Sequence, residues 1–510
     1  MPAAENVFSR DNMPKNLFNA KINLSGKQKA GIAITLLYAL ITFLLCSRHE
    51  MWGDELNVWM ALKHYSFTDL INFSSKAGNP IFFFLPLFPF VKLGCSAIII
   101  QFFCWFCSVL AILLLNLFSP FTLLTKIIIT FSAPMLYHYS VMARCYSLFP
   151  PLMFLAAILY PYVNSPIEIP TKNNETKTWA MIVYAFAIAA IACTHIIGFI
   201  FAAGMTAVFL YENFFKHKNY SKNEALSAGI MCSGITIVTI QTLYALLNNS
   251  VFEASHISVN SIIKAAAMYF SIMADAFSSE LFNSLQANDF LVTYFTPIII
   301  FLFITAIILI YRRNKMFALI TIGSALFYIY ISVTRYDHMF PYRTYFSILC
   351  IAVFLWILLS HKEKQKNKQA KENIVSETVL AIIFALTLPT GIMASASDWK
   401  ANFSSAHETA MFIENNIPND GKNLILGTAV PVAYYLKSHK LYYKYGIETK
   451  TILPGRGTNI DLEQFTDKYN NIYVVISSTQ KEMFREHFLV YESPSALTAQ
   501  EAFCVIKINF

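Results

Sequence analysis

Two adjacent carboxylates, Asp54 and Glu55, stand in Trp52-Gly-Asp-Glu-Leu-Asn-Val-Trp59, directly after the first apolar run. Such a pair can take a proton from an acceptor hydroxyl, bind a cation, or cap the helix that follows. A second cluster, Tyr139-Ser-Val-Met-Ala-Arg144-Cys-Tyr146-Ser-Leu148, sets one Arg among tyrosines. That setting suits bidentate phosphate binding, or a guanidinium snorkelling to a membrane surface within an aromatic belt. His195 interrupts the apolar stretch Ala192 to Gly198, either as a hydrogen-bonded turn residue or as the lining of a polar cavity. Further charge lies in Thr334-Arg335-Tyr336-Asp337-His338 and at Arg343, and Asn79-Pro80 opens an aromatic run. HExxH, Walker-type, GxSxG and GxGxxG patterns are missing, which disfavours hydrolases of those types and nucleotide-driven transporters.

The elements that position these residues are membrane spans. Of 510 residues, 56% are hydrophobic and only 13% charged, against roughly 25% charged in a soluble domain. Spans of roughly 17–25 apolar residues are expected near 30–47, 96–118, 123–139, 145–162, 179–194, 196–214, 226–247, 290–311, 316–334, 343–360 and 377–394. The fold class expected is an all-α polytopic membrane protein of about eleven transmembrane helices. Residues 1–29 read as a cytoplasmic tail followed by a signal anchor, 30–395 as the multi-span module, and 396–510 as a small extramembrane α/β domain.

The basic clusters give the orientation. The tail, Lys126, Lys172 and Lys177, Lys216 to Lys222, Arg312 to Lys315, and Lys362 to Lys371 all fall in alternate loops, as the positive-inside rule requires. The net charge of +8 is therefore membrane topology and does not point to nucleic acid. Counting Ile81 to Phe90 as a span would invert every later loop. Its prolines, Pro86 and Pro89, mark it instead as an interfacial or re-entrant segment. Nine scattered cysteines, including Cys104-Trp-Phe-Cys107, read as packing residues. In the last segment, strand-like Leu424-Ile-Leu426, Ile472 to Ile476 and Ala502 to Ile506 alternate with helical stretches near 404–416 and 461–469, and Pro418-Asn-Asp-Gly421 reads as a turn.

The Asp-Glu pair after the first span, the Asn-Pro start of an aromatic interfacial segment, and Ala143-Arg-Cys-Tyr-Ser-Leu148 opening a later span resemble the C-type (GT-C) membrane glycosyltransferases. The resemblance is to the bacterial dolichyl-phosphate-mannose mannosyltransferase-like branch, which includes aminoarabinose and lipopolysaccharide-core sugar transferases. It covers roughly residues 30–215. It implies Asp54 as the base or the acceptor or metal contact, Glu55 as its companion, and Arg144 with Tyr146 at the donor phosphate. His195 matches a frequent polar interruption of the middle spans. Asn79 stands where relatives often carry His or Glu, and Gln101 where many carry Arg, so a second carboxylate or one phosphate contact is put in doubt.

The expectation is an inverting glycosyltransferase of the inner membrane, working at the periplasmic face. Its partners would be a polyprenyl-phosphate-linked sugar, a lipid, glycan or protein acceptor, and membrane lipids, without nucleic acid. Asp54 and Glu55 are the expected catalytic residues. Arg144, Tyr146, Arg335 and Arg343 are expected at the donor phosphate, and Asn79, Pro80, Tyr139, His195, Asp337 and His338 in the substrate cavity. The resemblance allows a divalent cation without requiring one, and the sequence defines no metal site. The competing readings are a polysaccharide polymerase or O-antigen ligase, a lipid or polysaccharide transporter, and a non-catalytic scaffold. A transporter would set broken helices and polar groups at mid-depth in related halves, whereas here they gather at one face.

Overall fold

The computed structural model describes residues 25–508 except 77–79, 165–173, 217–220, 249–257, 283–285, 337–338, 361–366, 444–446, 450–467 and 485. The first helix, α1 (Gly26–Arg48), starts at a capping box in which Ser25 and Gln28 satisfy each other's amides. Two shorter helices, α2 (Gly53–His64) and α3 (Phe67–Lys76), follow outside the apolar run. The segment expected at the interface is a single 3-10 turn, Ile81–Phe83, followed by the short α4 (Phe88–Lys92). It is too short to cross a bilayer.

The bundle continues with α5 (Ile98–Phe118), α6 (Leu123–Phe131), α7 (Phe149–Asn164), α8 (Asn174–Thr194), α9 (Gly198–Leu210) and α10 (Lys222–Asn248). Then come α11 (Val259–Ala274), α12 (Thr296–Arg313), α13 (Lys315–Ile331), the single turn α14 (Pro341–Thr344), α15 (Phe346–Ser360), α16 (Asn367–Leu386) and α17 (Leu388–Lys400). Among the described residues nine helical runs are long and apolar enough to span a membrane, with Thr178–Thr194 and Val259–Ala274 as shorter apolar helices. The chain is a polytopic helical membrane protein.

Two expected spans take another form. Residues 123–139 are not one helix: α6 stops at Phe131, and a π-helical turn, Pro134–His138, carries the chain on. Pro134 lacks the amide that would continue the ladder. The last span does not end near 395, because α16 and α17 form one apolar run to Lys400, bent at Thr387 ahead of Pro389.

The apolar faces are distributed as a membrane requires. Every residue from Phe346 to Ile357 is buried, so α15 is the hub of the bundle. Leu36, Leu37, Leu40 and Phe43 of α1, and Phe301, Ile304 and Ile308 of α12, are exposed outward, where lipid is the natural solvent.

Beyond Lys400, α18 (Ala406–Asn416) and α19 (Val430–Tyr435) accompany a six-stranded sheet. Its strands are β1 (Asn423–Gly427), β2 (Tyr442–Tyr443), β3 (Ile447–Glu448), β4 (Asn471–Ser477), β5 (Phe488–Glu492) and β6 (Phe503–Lys507), in the order β3-β2-β1-β4-β6-β5. β1 runs parallel to β2 and β4; the other pairs are antiparallel. Side-chain alternation covers both faces: Ile425, Val475 and Val505 pack under α18, while Leu424, Leu426, Val474 and Ile506 form the opposite core. Gly421, at φ +72°, supplies the left-handed turn before β1. The expected strands and the helix near 404–416 are present; the stretch 461–467 lies outside the described residues. The sheet unit docks on the bundle through α19 against α2, with the Tyr434 ring edge-on to Trp59 at 5.0 Å.

Candidate functional site

Asp54 and Glu55 are the second and third residues of α2, whose N-cap is Trp52, so Asp54 is not the cap. Neighbours on a helix point about 100° apart, and here that separates two fates. Glu55 is fully buried. Its Oε1 accepts from the Ala143 amide at 2.6 Å, and its Oε2 lies 3.4 Å from the Trp52 amide and 3.3 Å from His49 Nε2. His49 Nδ1 is in turn 2.7 Å from Asp398 Oδ2, which also accepts from the Tyr137 hydroxyl at 2.9 Å. Burial alone would lower the His49 pKa, but the two carboxylates outweigh it and raise it to about 10. Glu55 thus ties the end of α1, the start of α2, the 140–145 corner and α17 together through a buried charge network.

Asp54 faces outward. Its side chain is 46% exposed and its Oδ2 lies 2.8 Å from Arg144 Nη1. The Arg144 guanidinium is enclosed and lies over the Trp52 ring, 6.0 Å from its centre. Burial opposes its charge, and the Asp54 carboxylate restores it. The corner carrying Arg144 is pinned by Glu55 at Ala143.

Behind this pair sits Tyr146. Its hydroxyl accepts from Arg343 Nε at 2.7 Å and lies 3.2 Å from His195 Nε2, while its ring stacks on Tyr342 at 4.6 Å. His195 Nδ1 accepts from the Ile197 amide at 3.2 Å, which assigns the proton to Nε2 and makes this ring a donor to Tyr146. Burial, then Arg343 and Arg144, hold His195 well below the usual range and therefore neutral. With two donors on its oxygen, Tyr146 keeps its own O–H for a third group.

Of the residues expected in the site, Asp54, Arg144, Tyr146, His195 and Arg343 come together. Tyr139 is buried and donates to the Tyr342 carbonyl at 2.9 Å, a structural bond. Pro80 is buried at the start of the 81–83 turn. Arg335 lies in the π-helical turn Ser332–Tyr336; Asn79, Asp337 and His338 lie outside the described residues. Gln101 supports the end of α1, donating to the His49 carbonyl at 3.2 Å. A divalent cation does not fit the carboxylate pair, because Arg144 occupies Asp54 and Glu55 points inward onto His49 and Ala143. Among the described residues no group of three or more His, Cys, Asp or Glu side chains is set to hold a metal.

No family model matches the chain, and no curated protein matches it. Among solved structures it is similar to the crystal structure of ArnT from Cupriavidus metallidurans in the apo state, at 12% identity and a TM-score of 0.38, over 95% of this chain and 98% of that one. So loose a likeness carries no argument about activity.

Two features were not flagged by sequence. The His49 and Asp398 pair is the first; Asp398 falls inside the last apolar run, and a carboxylate there is a functional signal in its own right. The second is Glu501, nearly buried, whose Oε1 accepts from the Gly53 amide at 3.1 Å and whose Oε2 accepts from Ser404 Oγ at 2.8 Å. A Cβ at Gly53 would come within 2.8 Å of that carboxylate, so a side chain there would push the Glu501 carboxylate aside. Burial, opposed by these two donors and reinforced by Asp54 and Glu55, raises the Glu501 pKa to about 7. A raised value favours the protonated form in the fold: this contribution to stability is full below about pH 4.5 and is lost as pH rises through about 7. Glu501→Gln is therefore expected to be more stable than wild type at pH 8, by about 3 kcal/mol, and to lose that advantage near pH 5. Thermal unfolding across pH checks this; a pH-independent difference would dissociate Glu501 from the effect.

An apolar cavity of about 640 Å³ opens between α8 and α10, lined by Phe82, Phe186, Ala189, Cys193, Gly229 and Ile237 among others. It brings the 81–83 turn and the end of α8 next to His195 to one groove.

Proposed function

We propose that this chain is an integral membrane glycosyltransferase that moves a sugar from a polyprenyl-phosphate donor to an acceptor hydroxyl at the periplasmic face of the inner membrane. The carrying observation is the half-exposed Asp54 carboxylate held 2.8 Å from the buried Arg144 guanidinium, two residues along the chain from Tyr146 with its His195 and Arg343 partners. The motif resemblance to C-type glycosyltransferases supports the same reading. Asp54 takes the proton of the acceptor hydroxyl as it attacks the anomeric carbon. Arg144 and Arg343, with the Tyr146 O–H, stabilise the charge that develops on the leaving polyprenyl phosphate. Fixed donors in an enclosed site do this best, because they need no reorganisation. The apolar groove at Phe82 and Cys193 suits the isoprenoid tail. The sheet unit and the 48–95 loop lie on the periplasmic side in this reading, and residues 362–371 on the cytoplasmic side.

The test is purified protein in lipid, incubated with radiolabelled polyprenyl-phosphate sugars. Donor-dependent release of polyprenyl phosphate is expected, with Arg144→Ala weakening donor use by roughly 2–5 kcal/mol and Arg144→Lys by much less. Unchanged donor affinity in Arg144→Ala would return that residue to a purely structural partner of Asp54.

A further inference from the structure

Asp54 has a second neighbour besides Arg144. A cleft of about 340 Å³ opens between the start of α2 and the sheet unit, with Gly53, Asp54 and Asn57 on one wall. The other wall is formed by Thr428 to Pro431 after β1, by Val475 to Ser477 at the end of β4, and by Gln480, Gln500, Glu501 and Phe503. The carboxyl ends of parallel strands are where open α/β sheets bind ligands, because the chain splays apart there. The volume falls at the low end of small-molecule sites, roughly 300–1,000 Å³.

The lining selects a chemistry. It holds two carboxylic acids and no Lys, Arg or His of its own, and the nearby Arg144 is already paired with Asp54, so a phosphate or carboxylate would meet the acids of this lining with no cation in it to offset them. Thr428, Ser477, Gln480 and Gln500 offer hydroxyl and amide groups that both donate and accept, which matches sugar hydroxyls. Val475, Ile476, Pro431 and Phe503 supply apolar surface for the C–H face of a pyranose. We propose that this cleft is the acceptor subsite, taking an uncharged, hydroxyl-rich sugar unit and presenting one hydroxyl to Asp54. The proposal rests on the glycosyltransferase reading and gives the sheet unit its role: it supplies the wall that faces the base.

The test uses full-length protein in nanodiscs and saturation-transfer NMR with three probes: methyl glucoside, glucose 1-phosphate, and glucosyl-diacylglycerol carried in the nanodisc. Methyl glucoside is expected to bind and glucose 1-phosphate not to, and Gln480→Ala with Gln500→Ala should weaken the former about tenfold or more. Competition by the glycolipid at far lower concentration identifies a lipid-linked acceptor; its absence identifies a soluble one. Equal binding of the phosphate, or methyl glucoside binding that the double variant leaves unchanged, overturns the subsite. Radiolabelled donor binding is measured on the same samples. Its loss in wild type defeats the glycosyltransferase reading, whereas intact donor binding with an insensitive cleft defeats only the acceptor subsite.

Discussion

Asp54→Asn is expected to insert and fold with a lowered unfolding midpoint, and to lose transfer activity by roughly 10²–10⁴. The two halves of that expectation come from different observations. Asp54 is not the N-cap of α2, its side chain is 46% exposed, and its ion pair is with a residue that also rests on Trp52. Losing a negative charge in the first turn of a helix costs about 0.3–1 kcal/mol, and the enclosed Arg144 also loses its counter-charge, which costs up to about 3–5 kcal/mol for a fully buried pair and less here because Asp54 is half exposed. The amide keeps the shape and one acceptor oxygen facing Arg144, but it cannot take a proton. Single-turnover transfer from a radiolabelled donor, alongside a thermal unfolding curve, separates the effects. Transfer at the wild-type rate would refute Asp54 as the base and turn attention to Asp337 or Glu501.

Glu55→Ala should do the opposite, lowering stability by roughly 3–5 kcal/mol before any question of rate arises. His49 and Glu55 are fully enclosed and Asp398 nearly so. Removing Glu55 leaves the Ala143 amide without its acceptor and His49 with one counter-charge in place of two. The charged state of His49 also sets a pH window. With its pKa raised to about 10, its contribution is complete below about pH 6.5 and is lost as pH rises through 10. Glu55→Gln keeps an oxygen for Ala143 and should fall between Ala and wild type. Yield of monodisperse protein and the unfolding midpoint in detergent are the measurements; an Ala variant as stable as wild type would remove the network from the account of the fold.

The contrast between these neighbours shows what sequence could and could not tell. The spans were legible because twenty apolar residues have few soluble uses. The break at Pro134 was not anticipated, because residues 123–139 form one apolar run of span length. That Asp54 and Glu55 belong to one motif was also legible; which of them faces inward was not, since that depends on the phase of α2 against α1 and α17. His49 and Asp398 are 349 residues apart, and no local pattern joins them. The corner at Arg144 was found because an Arg between tyrosines is chemically pointed, while its pairing with Asp54 required the folded chain. The role of the sheet unit stayed closed in the sequence, for its cleft exists only where β1, β4 and α2 meet.

The clamp between Glu501 and the Gly53 amide spans 448 residues. At a synthesis rate of about 5–20 residues per second, roughly 20–90 s separate the emergence of α2 from that of its partner. During that interval the Gly53 amide in the first turn of the helix bearing Asp54 lacks its Glu501 acceptor, and a chain released short of residue 501 never acquires it. Closure of this clamp is thus timed by the ribosome: nascent copies and copies truncated before residue 501 lack it, and Arg144 and Glu55 hold the start of α2 until then.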